Sequence, residues 1–327
     1  LKQASETEAT MAIIIPRRGF VAGGVASFAL SRSAWAAAPE TVASAATIGR
    51  EKMLVVSEDA NGRIVAFDSS AYLDSTPTGS ADVVVVGSYC GTRILAPIFT
   101  RGVKAVIATD AGIGKDDAGI SGLKHGETIG VPVASVDVLS AETSNGRSTL
   151  LGKISRANTQ ARALGVFPGQ IAWEAAAMLA KAPAGHSIPT PLGVEDAPVV
   201  VETTPFGRIW ATPGSTSIRE KIPNDIFCSG ANSSRVFSDG ALRMAAKGAI
   251  ANDAGVAMNK SAVEGVFLLA AQGVPAASVS TMSARLGEGL STWNDGVISV
   301  VNDFAAKLGV KVGMTAQDAA RAMLKRR

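Results

Sequence analysis

The sequence predicts an α/β protein made by internal duplication of a mostly parallel βαβ unit, with an N-terminal hairpin in each copy. Two observations carry this. The first is a repeat at an offset of 143 positions: Asp110-Ala111-Gly112 matches Asp253-Ala254-Gly255, Gly130-Val131-Pro132 matches Gly273-Val274-Pro275, and Ser148-Thr149 matches Ser291-Thr292. After one inserted residue, Ile154-Ser155 meets Ile298-Ser299, Asn158 meets Asn302, and Leu164-Gly165-Val166 meets Leu308-Gly309-Val310. A repeat this long is a domain duplication, not a solenoid period. The second is a series of Val/Ile/Ala runs without polar alternation, separated by helical stretches. Such runs are strands buried on both faces and joined by parallel crossovers.

The elements follow in order. Leu54-Val55-Val56 and Arg63-Ile64-Val65-Ala66-Phe67 form a hairpin about Asn61-Gly62, a two-residue turn signal. Val83 to Val86 is an apolar strand ending in Gly87-Ser88-Tyr89-Cys90-Gly91, and Thr92 to Phe99 is a helix. Val103 to Ala108 is a second buried strand, Ser121 to Ile129 a helix, and Val131 to Val136 a third strand. A helix from Ser155 to Leu164 stops at Gly165, a left-handed C-cap residue, and a last helix spans Ile171 to Lys181. The second copy repeats the order, and its last helix opens on Thr315 with Asp318 three residues on, a capping box.

Residues 1–38 read as an export signal with an upstream extension, 50–181 as the first repeat, 182–197 as a Pro-rich linker and 198–327 as the second repeat. Arg17-Arg18 with Phe20, the short apolar run Gly23 to Leu30 and the small-x-small site Ala34-Trp35-Ala36 resemble a twin-arginine (Tat) signal. That resemblance implies the Tat export machinery as a partner and an exported, periplasmic location. The alternative is an amphiphilic N-terminal arm. The apolar run is too short for a stable membrane span. Residues Leu1 to Thr10 lie upstream of a plausible start methionine, Met11, and read as a gene-model extension.

Composition narrows the function classes. Hydrophobic residues make up 47% and charged residues 18%, enough for packed cores. Aromatics are 5% and net charge is +3, with no basic face interleaved with aromatics, which disfavours nucleic acid. Two cysteines are too few for a disulfide scaffold or a cysteine zinc site. No His/Asp/Glu cluster has metal-ligand spacing, no Gly-x-Ser-x-Gly elbow occurs, and the cofactor is unknown.

In open parallel α/β sheets, ligands bind at the carboxyl ends of strands. The richest such segment runs from Asp110 to Gly119. Its Gly112 and Gly114 amides, with Lys115, Asp116 and Asp117, suit the binding of a small anionic substrate. It is neither a P-loop nor a dinucleotide fingerprint. Asp110 and Asp253 are candidate catalytic carboxylates. Because both copies share Asp-Ala-Gly, the alternative is that the fold itself requires it. Polar residues present in one copy only are free of that constraint: Lys115, Asp116, Asp117, His125 and Glu127 face Met258, Asn259, Lys260, Leu268 and Ala270. His125 is a candidate general base, or part of a solvated helix face. The linker histidine, His186, reads as solvent-exposed.

Cys90 and Cys228 read as equivalent strand-end residues with three alternatives: buried small hydrophobes, a disulfide between halves, or paired acid/base thiols. The third layout is similar to that of cofactor-independent amino-acid or hydantoin racemases, where each half supplies one cysteine. The neighbours here depart from that family: Gly91-Thr92 follows one cysteine and Ser229-Gly230-Ala231-Asn232 the other. Ser155/Asn158 and Ser299/Asn302 read as helix caps. The strand, Asp-loop and Gly-Val-Pro-Val pattern is also similar to swivelling β/β/α domains of some aldolase-like proteins. The expectation is an exported enzyme acting on a small anionic molecule between two homologous halves. The alternatives are a non-catalytic small-molecule-binding protein, a two-cysteine racemase or isomerase, and a structural protein that forms homo-oligomers.

Overall fold

The computed structural model describes residues 52–75, 77–188 and 197–326. Residues 1–38, read above as an export signal, and much of the expected linker lie outside them. Two six-stranded mixed sheets are present, ordered β1-β2-β3-β4-β5-β6 and β12-β11-β10-β9-β8-β7. The first comprises β1 (Leu54–Asp59), β2 (Gly62–Phe67), β3 (Asp82–Tyr89), β4 (Ala105–Thr109), β5 (Val133–Val136) and β6 (Ile154–Ala157). Strands β2 to β5 are parallel, while the outer strands β1 and β6 pair antiparallel. Helices α1 (Thr92–Phe99), α2 (Ser121–Thr128) and α3 (Gly146–Leu151) connect the strands, and α4 (Thr159–Ala163) and α5 (Ala172–Leu179) follow β6.

The second half repeats this with β7 (Val199–Thr204), β8 (Gly207–Thr212), β9 (Ile226–Asn232), β10 (Gly248–Asn252), β11 (Ala276–Val279) and β12 (Ile298–Val301). Its helices are α6 (Arg235–Arg243), α7 (Glu264–Ala270), α8 (Gly289–Asp295), α9 (Asp303–Lys307) and α10 (Ala316–Leu324). The Thr315 hydroxyl caps α10 by accepting from the Asp318 amide.

The unbroken apolar runs have the expected cause. On β3, Val83 and Val85 face one core with Ile107, Leu150 and Leu179, while Val84 and Val86 face another with Leu95, Ile98 and Phe99. Each sheet is therefore covered on both faces, and only its strand ends are left to carry a site.

Two expectations need correction. The hairpin turn lies one residue earlier than Asn61-Gly62: Gly62 already pairs with Asp59, and it alone takes a positive φ, of 114°. The segment Ser155 to Ala157 is strand, not helix; it pairs antiparallel with β5, and the helix starts only after Asn158. Asn158 explains the boundary. Its Oδ1 accepts from the amides of Ala161 and Val133, and its Nδ2 donates to the Val131 carbonyl. Asn302 does the same for Ala305, Ala276 and Val274. A capping side chain that also ties down the neighbouring strand stops a helix from running back into it. Helix α3, capped by Asn145, has no counterpart among the sequence expectations. Among the described residues, no helix is long and apolar enough to cross a membrane. His186 is exposed.

Candidate functional site

The carboxyl ends of the two sets of parallel strands meet at a seam with pseudo-two-fold symmetry. At its centre Gly112 and Gly255 touch: a Cβ on either would lie 3.0 Å from the other's Cα. Tyr89, Ala111, Ala118, Val138, Ala254, Ala257, Ala262 and Leu286 form one apolar cluster drawn from both halves.

The Asp110–Asp117 loop lies within this seam, and its polar groups are engaged by protein. One Asp110 carboxylate oxygen accepts from the amides of Gly112 at 3.0 Å and Val138 at 3.1 Å. Asp253 does the same with Gly255 at 3.1 Å and Thr281 at 2.9 Å, and its other oxygen accepts from Ser299 at 2.7 Å. Burial raises Asp110 above the usual carboxylate range, and the bonds from Gly112, Ser155 and Val138 oppose that rise. The amides of Ile113, Gly114, Lys115 and Asp117 donate to the carbonyls of Asp110, Gly112, Thr281 and Gly114. The amides offered as an anion cradle are thus already bonded within the fold. Lys115 pairs with Asp295 at 3.0 Å, and Asp116 with Arg285 at 2.9 Å. Asp295 is held below the usual range by hydrogen bonds from Ser291 and Lys115. This loop joins the halves, and Asp116 and Asp117 are both exposed.

Of the other candidates, Cys90 lies close enough to Asp110 for that carboxylate to add to the desolvation-driven rise of its thiol pKa. His125 stacks on Phe99 with ring centroids 5.5 Å apart, and burial lowers its pKa. Both cysteines are buried free thiols, so there is no disulfide. They are also not equivalent. Ile64 pairs with Val83 and its counterpart Ile209 with Ile226, which sets Cys228 opposite Val85 and Cys90 opposite Ser233. Desolvation pushes Cys228 up to about 12 and Cys90 higher still. Cys90 and Cys228 therefore do not occupy matching positions in the two halves.

The pseudo-two-fold brings further residues into view. At one end of the seam the Thr143 amide donates to Ser261 Oγ at 2.9 Å, and the hydroxyls of Ser144 and Ser234 lie 3.0 Å apart. Asn259 donates to Glu142 at 2.8 Å. The same positions at the other end are Leu286 with Ala118, Gly287 with Gly91, and Arg285 with Asp116. There Tyr89, only 4% exposed, takes up the space: a Cβ on Gly287 would come within 2.5 Å of its hydroxyl. One end of the seam is lined with hydroxyls and the other with Leu, Gly and Tyr. Ser144 also has φ 60°, where its counterpart is Gly287 with φ 93°. A left-handed non-glycine residue is costly and tends to occur where a side chain has a use. Extending the copy-against-copy comparison to every aligned position would have singled out Thr143, Ser144, Ser234 and Ser261 from the sequence.

Among the described residues, no three His, Cys, Asp or Glu side chains gather to hold a metal ion. Comparison with known proteins finds no matching protein family, curated protein or solved structure.

Proposed function

We propose that the protein is an exported small-molecule-binding protein whose ligand sits at the hydroxyl-lined end of the seam, beside Ser144 and Ser234. The observation that carries this is the one-sidedness of the seam. Thr143, Ser144, Ser234 and Ser261 are not demanded by the fold, because the other end packs the same backbone with Leu286, Gly287, Gly91 and Ala118. Binding is favoured over conversion because the candidate acid/base groups have other engagements. Asp110 and Asp253 hold loop amides, His125 stacks on Phe99, and both thiols are buried and resist ionisation.

A thermal-shift screen of small anionic and neutral compounds tests this, with NMR of each hit after incubation. The expected hit stabilises the wild-type protein, stabilises Ser144→Gly less, and is recovered unchanged. Conversion of the hit would instead support the exported enzyme. A shift that is the same in Ser144→Gly would place the site elsewhere.

A further inference from the structure

We propose that the second half docks on an anionic lipid surface through the end where its parallel strands begin, opposite the seam. The inference is independent of the seam site.

One path of contacts crosses that end. Lys247, just before β10, donates from Nζ to the carbonyls of Phe206, at the β7–β8 turn, and Leu324, at the end of α10, at 3.4 and 2.8 Å. Lys325 and Arg326 follow Leu324, and Arg326 donates to the Gly273 carbonyl at 3.0 Å. A Cβ on Gly273 would lie 3.8 Å from the Phe304 ring, and Lys307 Nζ lies 5.2 Å from the centre of that ring. Phe206 is 52% exposed and Phe304 37%, and Lys307, Lys325 and Arg326 are exposed as well.

The fold does not ask for these side chains. The first half carries the same scaffold: Lys104 donates to the carbonyls of Asn61 and Ala180, as Lys247 does to those of Phe206 and Leu324. Yet Asn61 stands at the position of Phe206, Gln160 at that of Phe304, Ala163 at that of Lys307 and Ala182 at that of Arg326. Gln160 donates to the Glu127 carbonyl, a bond that Phe304 cannot make. On one backbone, then, two polar and two small residues give way to two aromatic rings and two cations.

Rings and cations along one strip match an anionic bilayer. Phenyl rings enter the boundary between headgroups and acyl chains, while Lys and Arg reach the lipid phosphates. The positive charge is not cancelled within the protein, because Arg326 is held by a carbonyl and Lys307 by a ring. Asp225, the carboxylate beside Gly207, is taken by Arg208 and Trp210, and the exposed Asp303 offsets one of the cations. A folded partner fits less well. Its anchors cluster in one desolvated centre, whereas these rings stand on a hairpin turn and a helix, with Lys247, Lys325 and Arg326 between them along the path.

Co-sedimentation of the full chain with vesicles tests this, comparing neutral phosphatidylcholine with vesicles rich in phosphatidylglycerol. Two double variants install residues of the first half: Phe206→Asn with Phe304→Gln, and Lys307→Ala with Arg326→Ala. Those residues already sit on this backbone in the other copy, and circular dichroism checks that the fold is kept. Every variant retains the same N-terminal segment, so any contribution from it is common to all. The wild type is expected to bind the anionic vesicles and not the neutral ones, and to bind less as salt rises. The cation variant should lose about twentyfold, from about fivefold per cation at the surface. The ring variant should lose about tenfold. No binding by the wild type, equal binding to neutral vesicles, or unchanged binding in either double variant would overturn the proposal. A dimer in sedimentation velocity that the ring variant disrupts, with no vesicle binding, would make this face a contact between two copies instead.

Discussion

The two halves share their backbone far more closely than their side chains. The loop after β4 and the loop after β10 follow nearly the same left-handed path: φ is 49° and 43° at Ala111 and Ala254, 71° and 73° at Gly112 and Gly255, and 53° and 55° at Asp116 and Asn259. Asp110 and Asp253 hold these loops with the same pair of amide bonds. Where the halves meet, the side chains diverge: hydroxyls stand at one end of the seam, and Tyr89, Leu286 and Gly287 at the other. The duplicated backbone gives the same geometry twice, and the two ends of the seam carry different side chains on it. Residues held in common are explained by the loop they hold, while residues that differ need another explanation.

The sharpest test of that equivalence is at the axis. Gly112→Val places a β-branched side chain at φ 71° and against the Gly255 backbone, 3.0 Å from its new Cβ. A cost of about 3–5 kcal/mol follows from left-handed strain and a buried clash. Gly255→Val should cost the same within experimental scatter. Urea denaturation of both variants gives the comparison. A Gly255→Val penalty under half that of Gly112→Val would mean that the two loops are not mechanically equivalent.

The next effect in size comes from Asn158 and Asn302. Removing either amide side chain leaves two backbone amides and a carbonyl without their partner. Each Ala variant should lose about 2–3 kcal/mol, the cost of stranding buried backbone groups. Native-state hydrogen exchange would locate the loss at the Val133 and Ala161 amides in one half and at Ala276 and Ala305 in the other. Protection lost across the whole chain in both variants, with no local signature, would contradict this assignment.

These asparagines also show what was legible in the sequence. The duplication, the hairpins and the buried parallel strands could all be read, because each depends on local pattern. Ser-x-x-Asn was read as a cap, and Asn158 is one, but Ser155 lies on a strand. Four residues that pair with a distant strand leave too short a signal to outweigh a following helix. Cys90 and Cys228 were matched by position near strand ends, whereas the hydrogen-bond register separates them. The amides of Gly112, Ile113, Gly114, Lys115 and Asp117 find acceptors across the seam and within their own loop, and only tertiary structure supplies that count. The hydroxyl pair Ser144–Ser234 joins positions distant in sequence, so only the comparison of copies could have pointed to it.

The smallest effect concerns a helix position where the halves differ in a titratable group. His125 on α2 stacks on Phe99, and its counterpart on α7 is Leu268. Burial holds the folded-state pKa of His125 below its ordinary value. The unfolded chain therefore takes up this proton at a higher pH than the folded chain does. The histidine's contribution is fully present above the ordinary range, about pH 6.5, and is lost as pH falls through the lower folded value. His125→Leu, which installs the second half's residue, removes that loss. The variant should gain stability relative to wild type as pH drops from about 8 to about 5, with little change in the difference above about 7. Urea midpoints across that range measure it. A difference that stays flat with pH would mean the imidazole is as well solvated in the folded protein as in the unfolded chain, and the contrast with Leu268 would then be one of packing alone.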